Sequence, residues 1–269
     1  MDPTYLKIKY PHERDAHISF DEGPHIYTIN GLSDYTSVTT WNHEHFSKFD
    51  ADAIIDKMMK SPKWSQNKYF GKTKEEIKAL WDANRDQAAS AGTKLHYDIE
   101  CFYNQEEIKN DSKEYQYFKN FHENYKSLVP YRTEWMIYDE ELKLAGSIDM
   151  TFIDKDGNLE IYDWKRSKEI KKSPSFNQYA INPIIEHLPD TNYWHYSLQL
   201  NTYKAILEKN YNKKIKSMYL VIFHPNFPNY RRIKVGDLSY EVKQLFEERK
   251  QLFEERKQLF EERKQLFEE

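Results

Sequence analysis

The sequence predicts an α/β fold in which a mixed β-sheet is flanked by helices. Three observations lead to this class. Helical segments dominate residues 46–126, the hydrophobic period changes to two after Pro130, and a long helical segment and a last hydrophobic strand follow the alternating strands. A chain of 269 residues, of which 16% are aromatic, can bury a core of this kind.

The N-terminal part is predicted to contain short strands, followed by helices. The strands are HIYTI at 25–29 and YTSVTT at 35–40, separated by the turn NGLSD. In the helical region, Thr73 and Glu76 have the spacing of a capping box. A Gly-Thr pair then predicts that a further helix begins in AGTKLHYDIECFYN, with Thr93 as its N-cap.

Alternating hydrophobicity predicts three consecutive antiparallel strands in the second half of the chain. They are the segments YRTEWMIYDE, LKLAGSIDMTFID and NLEIYDWKR. A polar loop at 173–192 separates them from the helix YWHYSLQLNTYKAILEKNY and the strand SMYLVIFH.

The C-terminal tail differs from the rest because the unit KQLFEER repeats without variation from Lys243 to residue 269. Each unit offers an adjacent Leu-Phe pair rather than separated core positions, which favours a solvated single helix over an oligomerisation helix. We therefore divide the chain into a folded domain at 1–242 and a helical tail at 243–269, which we expect to be dispensable for chemistry. The tail could support an oligomer, but none is predicted.

Composition excludes several classes of protein. A single cysteine, Cys101, excludes an internal disulfide framework and an iron–sulfur cluster held by this chain, which needs about four thiolates. The polar N-terminus and the lack of a long apolar run predict a soluble, intracellular protein with no membrane partner. With a net charge of -4, any basic surface for a nucleic acid has to be local.

A hairpin between two of the predicted strands brings acidic residues together. If its loop is the three-residue segment 155–157, which ends in glycine, Asp149 lies directly opposite Asp163 and Ser147 lies opposite Lys165. Period two puts Lys165 on the same face as Asp163. A four-residue loop would instead put the two acids on opposite faces.

This arrangement of charges suggests a metal site. Like charges directly opposite in a sheet are destabilising, and a divalent cation between them removes the conflict. A lysine beside such a cation can orient a water molecule and stabilise charge on a phosphate. From geometry alone, an exposed hairpin face with mixed charges is the alternative.

The segments AGSIDM and LEIYDWKRS resemble the core signature of PD-(D/E)XK nucleases. The resemblance is to the RecB-like exonuclease branch, including the mitochondrial genome maintenance exonucleases and viral and phage relatives. Three further segments match in the same order: the Gly-Thr-x-x-His helix in AGTKLHYDIE, the strand with Glu134, and the Gln-x-x-x-Tyr motif in YSLQLNTYKAIL. The match spans roughly residues 25 to 225, and it implies a restriction-endonuclease-like core.

The resemblance also implies a role for each matched side chain. Asp149 and Asp163 would bind Mg²⁺, for which Mn²⁺ could substitute, together with the Trp164 carbonyl and Glu100. Lys165 would orient the attacking water. The implied contacts with DNA come from the Gln-x-x-x-Tyr helix, the Gly-Thr-x-x-His helix and the residues after the catalytic strand: Gln199, Tyr203, His96, Arg166 and Lys168. Arg166 departs from the family pattern, in which threonine is common at this position.

The expected activity is hydrolysis of DNA from its ends, with a preference for single strands. Five aromatic residues around the site could stack unpaired bases: Trp164, Tyr193, Trp194, Tyr196 and Tyr203. For Trp164, which alternation points away from Asp163, packing is favoured. The alternatives are a structure-specific endonuclease on the same core, and an inactive DNA-binding or assembly module. The missing cysteine cluster separates the chain from iron–sulfur relatives such as the CRISPR-associated adaptation nucleases.

Overall fold

The computed structural model describes residues 3–174 and 178–268, with side chains in the last helix up to residue 264. The helices are α1 Tyr5–Lys9, α2 Val38–Glu44, α3 Ala51–Met59, α4 Lys74–Tyr103, α5 Lys113–Asn124, α6 Asn192–Asn210 and α7 Ser239–Glu268. The strands are β1 Ile18–Asp21, β2 Ile26–Ile29, β3 Thr36–Ser37, β4 Val129–Asp139, β5 Leu144–Ile153, β6 Leu159–Lys165, β7 Ile215–Ile222 and β8 Arg231–Lys234. Within these ranges no helix is both long and apolar enough to cross a bilayer.

A six-stranded mixed sheet forms the centre of the fold, and β1 and β2 form a separate hairpin. Strands β4, β5 and β6 pair in antiparallel fashion, as the sequence predicts. Strand β7 lies parallel to β6 because α6 connects the two, as a parallel pair requires. Strand β8, which was not predicted, pairs with β7 at the edge. The predicted class, a mixed sheet flanked by helices, is confirmed.

The hairpin between β5 and β6 has the predicted register. Met150 pairs with Tyr162, so one further step along the ladder sets Asp149 opposite Asp163. The turn ends at Gly157, whose φ of 81° lies in the left-handed region that glycine adopts without strain. The three-residue loop and the register that depends on it are therefore confirmed.

One edge of β5 is only partly covered. Strand β4 pairs with β5 along its full length on one side. On the other side, β3 pairs at Leu144 and Ala145, while β6 pairs from Met150 to Ile153. Between them, residues 146–149 have no strand partner on this side within the described ranges, so the sheet contains a gap.

Two apolar layers cover the two faces of the sheet. On one face, α2, α6 and the start of α7 pack over Leu159 and Ile161 of β6. On the other face, α1, α4 and α5 pack over Tyr162 and Trp164 of the same strand. The period of two along β6 thus separates the layers, and Trp164 points away from Asp163 as predicted.

The predicted strand at 35–40 is wrong beyond its first residues. Helix α2 begins at Val38, because the Ser37 side chain accepts a hydrogen bond from the backbone nitrogen of Thr40 at 3.0 Å. Such an N-cap satisfies a free donor of the first turn, and it outweighs the strand preference of the β-branched residues here.

The predicted helix start at Thr93 is also wrong. Helix α4 runs without a break through Gly92 and Thr93, although it does begin with the predicted capping box of Thr73 and Glu76. A single glycine in a helix interior costs about 1 kcal/mol, which the packing of Leu95 and Ile99 against the aromatic layer can offset.

Helix α7 crosses the predicted boundary between residues 242 and 243 without interruption. Leu245 is fully buried and Phe246 nearly so. The Arg249 guanidinium donates a hydrogen bond to the carbonyl of Leu142 at 2.6 Å. Further along, Leu252 is 47% exposed, so the packed part of the helix ends close to this residue. The division into 1–242 and 243–269 stays a prediction, but contacts with the domain extend into the first repeat.

Candidate active site

Three carboxylates form a row across the sheet beside its gap. The register of β4 and β5, continued between its neighbouring pairs, sets Glu134 opposite Asp149. Asp163 of β6 lies on the other side of Asp149. Like charges directly opposite one another destabilise a sheet, so this row requires a compensating positive charge.

Lys165 supplies part of that charge. Its Nζ donates a hydrogen bond to Asp163 Oδ1 at 3.0 Å and lies 2.9 Å from Oδ2. Although burial opposes the charge on the lysine, Asp163 and Asp149 raise the pKa of Lys165 above its ordinary value. Burial raises the pKa of Asp163 to about 6, even though Lys165 acts to lower it. The pair is therefore charged but poorly solvated.

His96 connects helix α4 to the acidic row. Its Nε2 lies 2.8 Å from the carbonyl oxygen of Trp164, and its Nδ1 lies 3.6 Å from Asp149 Oδ2. When Nε2 donates its proton to the carbonyl, Nδ1 presents a lone pair towards the carboxylates. A histidine that ligates a metal usually donates its other N–H to such a carbonyl, so the ring is oriented as a ligand.

Glu134 occupies an unusual backbone position. Its φ is 40°, which is uncommon for a residue with a side chain and typical of strained functional sites. Ser147 donates a hydrogen bond to its Oε2 at 2.9 Å. Burial, followed by the charges of Asp149 and Glu100, raises the pKa of Glu134 to about 8. The strain and the desolvated carboxylate together indicate a residue kept in place for chemistry.

The donor set fits a divalent metal ion. Ligand atoms of His96, Glu134 and Asp149 lie within 4.8 Å of one another. Asp163 Oδ2 is buried, and the Lys165 ammonium lies 2.9 Å from it as an ion-pair partner. A divalent cation would neutralise more of the charge on this oxygen and reduce the repulsion between the carboxylates of the row. Carboxylate oxygens are suitable ligands for Mg²⁺ and Mn²⁺.

Two predicted ligands lie close to this group. Glu100 is half-buried on α4, one helical turn after His96, and its charge acts on Glu134. The Trp164 carbonyl faces the same region through its contact with His96, while its indole ring is buried in the aromatic layer. The roles predicted for both residues stay predictions.

Gln199 and Tyr203 lie over the gap, but they differ in exposure. The Gln199 Nε2 donates hydrogen bonds to Thr39 Oγ1 at 2.8 Å and to Tyr203 Oη at 3.1 Å. Tyr203 is 4% exposed, and a Cβ added to Gly146 would meet its ring at 2.7 Å. This burial disagrees with a direct contact between Tyr203 and DNA. The phenol instead positions Gln199, which is half-buried at the site.

The two basic residues predicted to contact DNA also differ. The Arg166 guanidinium donates a hydrogen bond to Glu114 Oε1 of α5 at 2.8 Å, and both side chains are largely buried. This ion pair engages the Nε of Arg166, and the predicted contact of the guanidinium with DNA stays a prediction. Lys168 is exposed just after the catalytic strand, and its predicted contact with DNA stays a prediction.

Glu134 belongs to the site but was not among the predicted site residues, and Tyr196 was predicted only as an aromatic that could stack bases. The sequence had placed Glu134 in a matching strand, but a charged strand residue is usually solvated. Its partial burial becomes visible only when β4 pairs with β5. Tyr196 precedes Gln199 by three positions on a helix, and this spacing puts both on one face. The spacing was a usable signal.

Comparison with known proteins agrees with this geometry. A family model of the PD-(D/E)XK nuclease superfamily matches residues 64–269. The chain belongs to this superfamily. No curated protein sequence matches the chain. The assignment to the RecB-like branch and to the mitochondrial exonucleases stays a prediction.

Two solved structures are similar to this nuclease chain at low identity. A repair endonuclease from Pyrococcus abyssi is 18% identical, with a TM-score of 0.24, over 53% of this chain and 45% of that one. The chain thus spans less than half of the length of that endonuclease. A candidate exonuclease from Eubacterium rectale is 13% identical, with a TM-score of 0.37, over 80% of this chain and 77% of that one.

Proposed function

We propose that this chain is a divalent-metal-dependent deoxyribonuclease that hydrolyses phosphodiester bonds from DNA ends, with a preference for single strands. One observation supports the proposal above all others. Asp149, Asp163 and Lys165 meet at the gap of the sheet, where Glu134 and His96 join them. Two or more carboxylates beside a lysine form a site suited to phosphate chemistry, because they hold a cation and supply a separate positive charge.

The residues that would hold the metal ion are Asp149 and Asp163, with His96 and Glu134 as further ligands. Glu100 and the Trp164 carbonyl are the other predicted ligands. Mg²⁺ is the expected ion, and Mn²⁺ could replace it. When bound, such an ion polarises a phosphoryl oxygen and lowers the pKa of a water molecule.

Lys165 and Gln199 act on the substrate side of the site. The ammonium group of Lys165 donates hydrogen bonds to the attacking water and to the phosphate oxygen on which charge develops. Gln199 is held between Thr39 and Tyr203, so its amide is fixed before DNA binds. Such preorganisation means that little reordering is needed at the moment of reaction.

The preference for single-stranded ends rests on the sequence resemblance to the exonuclease branch. Among the five aromatics expected to stack bases, Trp164, Tyr193 and Tyr203 are buried. Burial favours packing over base stacking at these three residues, as the sequence already indicates for Trp164. Trp194 and Tyr196 are half-buried on α6, and we assign base stacking to Trp194. Lys168 remains as an exposed contact for the backbone phosphates.

The deciding experiment compares linear, nicked, covalently closed circular and single-stranded DNA with and without Mg²⁺. We expect cleavage of linear single strands only when the metal is present. Rapid degradation of a closed single-stranded circle would establish an endonuclease instead. Binding of DNA with no cleavage of any form in Mg²⁺ or Mn²⁺ would indicate a DNA-binding module.

A further inference from the structure

Lys165 has a second contact, which comes from helix α6. Its Nζ lies 4.7 Å from the centre of the Tyr196 ring. Both side chains are half-buried, so the contact is partly shielded from water. A cation over the face of a tyrosine ring is attracted by the ring quadrupole, and shielding strengthens that attraction. We propose that Tyr196 is a positioning residue, whose ring face holds the ammonium of Lys165 in place for the proposed hydrolysis of DNA.

The ring matters because the other anchor of Lys165 has a competing task. In the structure the ammonium is paired with Asp163 at 2.9 Å. Under the proposed function, which this inference presupposes, Asp163 also binds the metal ion. A divalent ion at Asp163 weakens the hold of that carboxylate on the lysine. The Tyr196 ring offers no carboxylate oxygen to a metal, so its contact persists when the metal is bound.

The ring also leaves the chemistry of the lysine intact. The ring face is not a strong hydrogen-bond acceptor. The ammonium protons therefore remain available for water and phosphate. The next turn of α6 supplies Gln199, which is fixed by its own hydrogen bonds. One face of α6 therefore places two groups over the gap: Gln199 directly, and Lys165 through Tyr196.

The test compares Tyr196→Leu with Tyr196→Phe under single-turnover and steady-state conditions. Loss of the ring in Tyr196→Leu should lower kcat roughly 5- to 30-fold, the effect of a partly desolvated cation–π contact. KM should stay within about twofold, because the residue acts through Lys165 and not on DNA. Tyr196→Phe keeps the ring face and should retain most of the wild-type kcat.

The chain offers a matched control in Tyr35. Its ring is also half-buried and lies 4.6 Å from a lysine, Lys143, which is likewise paired with an aspartate, Asp34. Tyr35→Leu removes the same kind of contact outside the site. Tyr35→Leu should leave kcat unchanged. Any stability that it loses shows how much of the stability loss in Tyr196→Leu comes from removal of such a contact alone.

A readout independent of cleavage is the NMR signal of ¹³C-labelled Lys165, assigned by its absence in Lys165→Ala. The ring current of Tyr196 should shift its ε-methylene protons upfield, with and without Mg²⁺. The shift should vanish in Tyr196→Leu and remain in Tyr196→Phe. This signal tests the contact even if the wild-type protein cuts no DNA. Absence of cleavage by the wild type would overturn the proposed function but not the contact between Tyr196 and Lys165.

Three results would overturn the positioning role. An unchanged kcat in Tyr196→Leu would show that Lys165 needs no ring. A raised KM with unchanged kcat would show that the ring contacts DNA itself. Equal losses in Tyr196→Phe and Tyr196→Leu would assign the effect to the hydroxyl group.

Discussion

The two faces of strand β6 have the same backbone and opposite physical characters. On one face Tyr162 and Trp164 are fully buried among aromatic rings, with Phe121 and Trp164 5.5 Å apart in an edge-to-face arrangement. On the other face Asp163 and Lys165 are desolvated charges beside a gap in the sheet. The aromatic side chains stabilise the fold, whereas the charged pair, which follows Leu159 and Ile161 on its face, needs a cation and stores unfavourable energy until one binds.

This difference shows that alternate residues at the end of one strand have separate roles. Tyr162 and Trp164 stabilise the fold, and Asp163 and Lys165 carry the proposed chemistry. A substitution on the aromatic face should lower stability and leave the chemistry of the folded molecules intact. A substitution of Asp163 or Lys165 should remove chemistry and leave the fold intact. The following predictions test that division, in order of decreasing effect.

The largest effect is expected for Asp163→Asn. The amide cannot supply the anionic oxygen that the cation needs, so cleavage should fall by at least about 10³-fold and metal affinity should drop. The melting temperature without metal should stay close to that of the wild type, because one repelling carboxylate is removed while Asp149 still acts on the ammonium of Lys165. Rates of cleavage, calorimetric titration with Mn²⁺ and thermal unfolding measure the three quantities.

Two variants complete that experiment. Lys165→Ala should lose cleavage but keep the metal, since no carboxylate is changed. Asp156→Asn alters an acid at the exposed tip of the same hairpin and should behave like the wild type. Cleavage by Asp163→Asn at the wild-type rate would show that the site is wrongly assigned.

On the aromatic face, Trp164→Ala should lower the free energy of unfolding by about 3–5 kcal/mol, the usual loss for a buried large aromatic residue. Denaturant titration measures this change. Below the unfolding transition, metal affinity should remain within a few-fold of wild type. A selective loss of metal binding in a folded Trp164→Ala protein would break the proposed division between the faces.

A pH effect is expected from Glu134. The folded protein raises its pKa from 4.5 to about 8, so between these values the folded state binds more protons than the unfolded state. Without metal, stability should therefore fall as pH rises through this window. Glu134→Gln should remove most of that slope and make the metal-free protein more stable than the wild type at pH 8.

Urea unfolding in EDTA at pH 5 and pH 8 measures the slope. Glu107→Gln, at an exposed position after α4, serves as the control and should leave it unchanged. An identical slope in Glu134→Gln and the wild type would show that Glu134 is already ionised across this range.

The smallest effect is expected from removal of the outer part of helix α7. A chain that ends after Gln251 should keep wild-type activity and lose less than about 0.5 kcal/mol, as exposed positions usually do. A chain that ends after Lys243 loses Leu245 and Phe246 from the core layer on the charged face, at about 2–5 kcal/mol for each large side chain. Equal stability of the two chains would show that α7 does not complete this layer.

Local signals in the sequence predicted the central part of the fold. Alternation fixed the strands β4, β5 and β6, and Gly157 predicted the turn that sets Asp149 opposite Asp163. These features depend on residues close together in the chain. Helix α4, by contrast, continues through Gly92 because distant aromatic residues pack against it, and no local signal reports that packing.

The same distinction applies to the site. Asp163 and Lys165 belong to one short motif and could be found by spacing. The partner of Arg166 is Glu114, which lies 52 positions away, so neutralisation of the arginine was invisible in the sequence. The burial of Tyr203 likewise depends on Gly146 of a distant strand.

The acidic residues beside the gap in the sheet also affect self-association of the protein. An uncovered strand edge is a template on which another chain can add a strand. At residues 146–149 that edge has no strand partner but lies under Tyr203, and the Asp149 side chain already accepts the N–H of Trp164 at 2.8 Å. An incoming strand would have to displace this bond and bury the charges. Replacing Asp149 by an apolar residue removes both obstacles to strand addition, and such a variant should aggregate as well as lose activity.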